Sequence, residues 1–238
     1  MKALRLELFQ ETACYKKPFA FKVGETYPLP PYSTVKGMLH SLLNAEKFIP
    51  MELSIQGSYE TIVEDYQTHY LFKKAGVQEF PLVLDGLGYT PEYEAMTKMP
   101  LYTHLLYNVK LIIHVKAQED VLHGIDKNIR NATQHLSLGR WEDLVRIDDC
   151  CMVELVENTE RIRTRIPAFV PIGYLDEWMN YIPFRLNWKY NIKNGVREWE
   201  KIKAGYVDAG VTFEKNTVLV ENLEDGYPVF LNLGGSSG

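Results

Sequence analysis

The sequence predicts an α+β fold with the order strand, helix, strand, strand, helix, strand, the ferredoxin-like (RRM-like, βαββαβ) arrangement. Two helical periodicities and two runs of strict alternation predict it. Val35, Met38, Leu39, Leu42 and Leu43 recur at i, i+3, i+4, i+7 and i+8, and Val121, Leu122, Ile125 and Ile129 repeat that spacing. Leu4, Leu6 and Leu8 alternate with Arg5, Glu7 and Phe9. Tyr107, Val109, Leu111, Ile113 and Val115 share one face in the same way.

Taken in order, the first strand gives way to Pro28, Pro30 and Pro31, which break regular structure. Ser33 is then the expected cap of the first helix, whose polar side carries Lys36, Gly37, His40 and Asn44. Residues 53–72 are rich in Ile, Val, Thr and Tyr and read as extended. Residues 75–104 hold Pro81, Pro91 and Pro100 without periodicity, so they are expected to form an excursion, a protruding thumb. The strand 105–115, the second helix, a glycine turn at 137–140 and a strand 144–156 complete the first part. Residues 1–160 are thus expected as one domain and 161–233 as a smaller β-rich part, with short strands in 207–213 and 217–220. Gly234-Gly235-Ser236-Ser237-Gly238 reads as a linker or tag remnant.

Hydrophobic residues make up 46% of the 238, enough for a real core. No apolar run approaches the roughly 20 residues that span a bilayer, and charges interrupt the N-terminal leucines. A soluble, cytoplasmic protein without membrane contact is expected. Three cysteines, Cys14, Cys150 and Cys151, fit neither a disulfide framework nor a zinc site. Catalytic and cofactor fingerprints such as H-E-x-x-H, the P-loop and the dinucleotide motif are absent, so no cofactor is expected. Net charge is −5, against the positive balance usual in nucleic-acid binders. The charge is segregated, however. Residues 161–203 hold nine Lys/Arg against four Asp/Glu, with eight aromatics, while the remainder holds 17 against 27.

Two stretches carry the functional signal. Ser137-Leu138-Gly139-Arg140-Trp141 joins a helix to a strand. Its glycine permits a tight turn and close approach of a ligand, and the arginine and indole suit a phosphate and a base. The plain alternative is a helix C-cap with a surface arginine, and Trp141 fits a gap between the two parts as well as it fits a base. Pro30-Pro31-Tyr32-Ser33-Thr34-Val35-Lys36-Gly37 opens the first helix, where free amides favour an anion. Lys36 by itself reads as a solvated helix residue. Arg161, Arg163 and Arg165 alternate with Ile162, Thr164 and Ile166; a phosphate ladder and a protective strand edge fit them equally. His69, near Tyr66, Tyr70, Lys73 and Lys74, is the histidine that fits a metal-independent ribonuclease, which needs one group to deprotonate the 2′-hydroxyl and another to protonate the leaving oxygen. His40, on the polar face of the first helix, is the second to test; no Tyr-His-Lys set is matched, and the plain reading of both is an ordinary polar residue. His114 and Lys116 share a strand face with Asn108 and Lys110, and that face lacks the paired aromatics of a sheet-surface RNA reader.

The proline-rich lead into the first helix, the Leu138-Gly139-Arg140 turn after the second and the smaller C-terminal appendage together resemble the Cas-five family of CRISPR-associated proteins in the RAMP superfamily, closest to type I-B. The resemblance covers residues 1–160 well and the rest loosely. It implies a non-catalytic subunit of a Cascade surveillance complex that grips the 5′ handle of the guide crRNA and caps the backbone filament. The implied partners are the guide, the backbone subunit and the large subunit, with target DNA nearby. It implies RNA contact at Tyr32, Ser33, Lys36, Ser137, Leu138, Gly139 and Arg140; the stacking reading adds Trp141, and the phosphate-ladder reading adds Arg161, Arg163 and Arg165. The rival expectations are a metal-independent endoribonuclease that processes repeat RNA, and a scaffold that touches only protein.

Overall fold

Alternating leucines place the first strand, β1 (Lys2–Ala13), at the middle of the protein: Leu4, Leu6 and Leu8 are buried while Arg5, Glu7 and Phe9 face the other way. A computed structural model describes residues 1–18, 20, 23–72, 96–132 and 135–232. After β1 come β2 (Val23–Gly24), α1 (Tyr32–Leu42), β3 (Glu52–Ser58), β4 (Thr61–Phe72), β5 (Met96–Lys116) and α2 (Glu119–Arg130). Then follow β6 (Leu136–Ser137), β7 (Leu144–Glu157), β8 (Ile162–Arg163), β9 (Ala168–Pro171) and a short 3-10 turn. The chain ends with β10 (Ile182–Lys193), β11 (Val196–Val207), β12 (Thr212–Phe213), β13 (Leu219–Glu221) and β14 (Pro228–Val229). Among the described residues it is a sheet-rich protein built on one large sheet of twelve strands. Its main path runs β10-β11-β9-β3-β5-β1-β7-β13-β14, antiparallel throughout.

Helix α1 starts two residues earlier than expected. Pro31, not Ser33, occupies the cap position, and its carbonyl accepts the Thr34 and Val35 amides at 2.9 and 3.2 Å. Proline fixes φ ahead of a helix and has no amide to leave unpaired. The apolar stripe buries Tyr32, Val35, Met38 and Leu39. These pack with Leu122 and Ile125 of α2 and the inward residues of β1, β3 and β5 in the largest core. Asn44, at φ +50, takes the left-handed conformation that ends the helix.

Of the expected thumb, residues 75–95 lie outside the described residues. Residues 96–104 are the first part of β5. That 21-residue strand pairs first with β4 (Phe72 opposite Met96 through Thr61 opposite Tyr107) and then with β1 and β3. Residues 234–238, the expected linker, also lie outside.

The larger departure from the sequence reading is in 182–207, expected only as a basic, aromatic stretch. It is a long hairpin, and β9 links it to β3 through Ile55 opposite Phe169. Asn194 and Gly195, at φ +51 and +74, make its tight turn, and Pro183 sits near the start of an edge strand, where sheets tolerate proline. The final residues cross the face of the sheet opposite the helices. Asn232 exchanges hydrogen bonds with the Leu53 backbone, Phe230 N–H donates to Ser54 Oγ at 3.0 Å, and Gln56 Nε2 donates to the Pro228 carbonyl at 2.6 Å. That crossing buries His114 completely against Glu221, at 2.8 Å. The expectation of an open polar strand face therefore fails at His114.

Candidate nucleic-acid interface

The glycine turn is held by one buried carboxylate. Leu138 is buried, and the turn from it to Asp143 closes through Leu138 N–H to the Asp143 carbonyl at 3.0 Å. The Asp143 side chain is fully buried. Its Oδ2 accepts the amides of Cys14 at 2.9 Å and Arg140 at 2.8 Å, and its Oδ1 accepts Arg140 Nη2 at 2.7 Å. Gln10 Nε2 donates to the carbonyls of Leu138 and Asp143, and Tyr15 in turn donates to Gln10 Oε1 at 2.6 Å. The turn is thus fastened to the end of β1. Gly139 has φ +115, and a Cβ there would stand 2.7 Å from Asp143 Oδ2 and 3.0 Å from the Cys14 carbonyl. Only glycine fits.

This arrangement changes the reading of Arg140. Its guanidinium is 19% exposed and faces Asp143 and, at 2.9 Å, Glu142. Burial works against its charge, but the Asp143 hydrogen bond and the two carboxylates outweigh burial and raise its pKa. The cation is committed to shaping the turn. Trp141, one residue on, is 85% exposed. It plugs no gap between parts of the molecule and stands as a free aromatic face.

The two stretches singled out in the sequence meet. Thr34 and Gly37 of α1 and Ser137 and Gly139 of the turn line one cavity of about 620 Å³, between the two helices. Asn44, Asn128, Asn131 and His135 complete its polar wall. Asn128, Asn131 and His135 were missed, and Asn44 was placed only on the polar side of the first helix. Their spacing carries no motif, and only the packing of α1 against α2 brings them together. Among the described residues no lysine or arginine lines the cavity. Its chemistry is that of hydrogen bonding to neutral edges and hydroxyls, with phosphate attraction left to other groups. At Gly37 a Cβ would meet nothing within 4 Å, so the helix leaves open space on the cavity side.

Other expected contacts are placed elsewhere. Tyr32 is fully buried, with its hydroxyl 3.3 Å from the Phe169 carbonyl, so its side chain is withdrawn from any ligand. Ser33 is partly exposed, in the first turn of a helix with no acidic residue there. Lys36 is not the solvated residue its position suggests. Its ammonium donates to the Trp188 carbonyl at 2.7 Å and lies 5.2 and 5.5 Å from the ring centres of Trp188 and Phe48. Burial, helped by neighbouring Lys189, lowers its pKa. Arg161 pairs with Glu214 and Arg165 with Asp225, both at 2.9 Å, while Arg163 is exposed and makes no ion pair among the described residues.

His40, named for the ribonuclease reading, has both nitrogens occupied. Nδ1 donates to the Lys36 carbonyl and Nε2 accepts the Ile49 amide, each at 2.9 Å. Burial lowers its pKa, which suits this neutral tautomer. The His69 side chain lies outside what is described. Among the described residues no group of three or more His, Cys, Asp or Glu is placed to hold a metal.

Comparison with known proteins gives a family. The family model described as CRISPR-associated protein (Cas_Cas5) matches residues 3–180. No curated protein matches the chain. Among solved structures, a chain of a "CRISPR RNA-guided surveillance complex" is similar over 88% of this chain and 91% of its own, at 16% identity and TM-score 0.53. A CRISPR protein from Archaeoglobus fulgidus is similar over 97% of this chain and 99% of its own, at 11% identity and TM-score 0.47. A chain of a type III-B Cmr-beta complex bound to target RNA is similar over 90% and 86%, at 10% identity and TM-score 0.42. At 16% identity the first of these speaks for the fold.

Proposed function

The chain belongs to the Cas5 family of CRISPR-associated proteins, and on that premise we propose that it is a non-catalytic subunit of a type I (I-B) Cascade effector that holds the 5′ handle of the guide crRNA and caps the backbone filament in the cytoplasm. The order β7-β1-β5-β3, with α1 and α2 as the two crossovers, supports reading residues 1–160 as the ferredoxin-like RAMP domain. Residues 161–233 are then the appended part, and the segment around 75–104 is the thumb towards a neighbouring subunit.

The observation that carries the reading is the polar cavity shared by the start of α1 and the glycine turn, with Trp141 exposed beside that turn. Unpaired bases are recognised by amide hydrogen bonds and by stacking on aromatic faces. A rigid glycine turn, a wall of asparagines and a free indole supply both. The ribonuclease rival is disfavoured at His40, whose nitrogens are both occupied.

The test is a gel shift of the assembled complex with RNA carrying its native handle or a scrambled one. Gly37→Leu, which fills the cavity, and Trp141→Ala, which removes the stacking face, are expected to weaken handle binding at least about fivefold, since stacking alone is worth about 1–3 kcal/mol per base. Equal binding of both RNAs by wild type and variants would sink the assignment. Incubating the protein with precursor RNA in chelator is expected to leave the RNA intact. Discrete products lost in His40→Ala or His69→Ala would establish the enzyme instead.

A further inference from the structure

The β10–β11 hairpin lies beyond residue 180, past the residues the family model matches. Its charge opposes that of the chain: six Lys/Arg and two Glu in its strands, within a protein of net charge −5. The register sorts these charges by face. Arg185 stands opposite Lys203 and Tyr190 opposite Trp199, and directly opposed residues of an antiparallel pair share a face. Along β11, alternation puts Arg197, Trp199, Lys201 and Lys203 on that same face. One extra residue in β10 between Asn187 and Tyr190, a bulge, keeps Tyr190 beside Trp199.

The contacts agree with this sorting. The Tyr190 and Trp199 rings are 5.1 Å apart, and the Arg197 guanidinium lies 4.6 Å from the Tyr190 ring. The two glutamates fall on the opposite face, where Glu200 pairs with Lys189 at 3.2 Å and Glu198 with Lys193 at 2.6 Å. Arg185, Arg197, Lys201 and Lys203 are exposed and make no ion pair among the described residues. One face therefore holds four unpaired cations and two aromatics with no carboxylate from either strand.

Edge protection favours charge, lysine above all, but it gives no reason to set Arg185 directly against Lys203, since like charges opposite each other destabilise a strand pair. A bound polyanion would relieve that repulsion. Arg197 to Lys203 span about 20 Å at about 3.3 Å per residue, room for several nucleotides of an extended strand. The rings lie among the cations, and only unpaired bases can stack on them. We propose that this face docks a single-stranded nucleic acid, gripped through its phosphates by the four cations and through its bases by Tyr190 and Trp199, without reading sequence.

The test is fluorescence anisotropy of the full chain with a short labelled oligodeoxythymidylate across a salt series. This probe carries no guide sequence, so its outcome is independent of the handle reading above. At about 0.7 per phosphate contact on a single strand, four contacts give a slope of log affinity against log salt of about −3. The triple variant Arg197→Gln, Lys201→Gln, Lys203→Gln is expected to reduce the slope to about −1 with an unchanged melting temperature. Trp199→Ala is expected to weaken binding at least about fivefold. Lys193→Gln, on the opposite face, should leave the slope unaltered. An unaltered slope in the triple variant, an equal loss in Lys193→Gln, or displacement of the strand by polyglutamate at matched charge would each overturn the proposal, the last by making an acidic protein surface the occupant.

Discussion

Replacing Arg140 with alanine should destabilise the protein in the absence of any nucleic acid. A cation waiting for a phosphate could be removed at little cost to folding. Arg140 instead supplies the charged partner of a fully buried carboxylate. Breaking a buried ion pair costs about 3–5 kcal/mol. Here the loss is smaller, because Asp143 keeps the amides of Cys14 and Arg140 and the guanidinium is partly solvated, so about 2 kcal/mol is expected. Asp143→Ala leaves those two amides without their acceptor and removes the side-chain tie to Cys14, while Gln10 still holds the turn's carbonyls, for a loss of about 3 kcal/mol. Since both changes break one interaction, the double variant should fall short of the sum by at least about 1 kcal/mol. Urea unfolding reads these differences directly, and for a chain of this size about 2 kcal/mol lowers the melting temperature by about 4–8 °C. A stability of Arg140→Ala within about 0.5 kcal/mol of wild type, or additive behaviour of the pair, would refute the structural role and return Arg140 to the ligand.

Opposite signs are expected at two glycines. Gly139→Ala meets both a forbidden φ and a 2.7 Å contact and should lose about 2–3 kcal/mol. Gly37→Ala, in open space within a helix, should gain about 0.5–1 kcal/mol, and urea titrations of the two variants must move in opposite directions. Acid sensitivity is expected at Glu221. Burial pushes its carboxyl up, but hydrogen bonds from His114 and the Tyr227 amide, with the charges of His114 and Arg5, outweigh burial and lower its pKa. Its stabilisation is therefore complete above the ordinary value of 4.5 and is lost as pH falls through the folded value. The acid limb of a melting-temperature profile should flatten in Glu221→Gln and not in wild type. His40, also lowered, is held neutral in the fold. It adds stability that is full above its ordinary 6.5 and declines as pH falls from there, and His40→Asn should remove that shallower step.

How much was legible depended on whether a signal was local. Both helices, the leucine alternation of β1 and the extended runs 53–72 and 144–156 could be read because period 3.6 and period 2 are written in consecutive residues. The hairpin 182–207 was also legible and was passed over: Asn194-Gly195 after alternating Phe184, Leu186 and Trp188 is a strong hairpin signal, obscured by Pro183 and by the weight of charge around it. Of the site, Gly139 and Trp141 were legible because backbone conformation and an isolated indole are properties of single positions.

The amino-acid order by itself decided the secondary elements, the turn that must contain glycine and the uneven distribution of charge, since each depends on neighbours within a few residues. Tertiary packing alone decided that Asp143 is buried against the Cys14 amide, that Lys36 turns towards Trp188, that His114 is sealed under the C-terminal crossing and that four asparagine and histidine side chains face the glycine turn. In each case the deciding partner lies on another element. Burial then fixes whether a polar group keeps its water or must find a neighbour, and no local pattern records which neighbour that is.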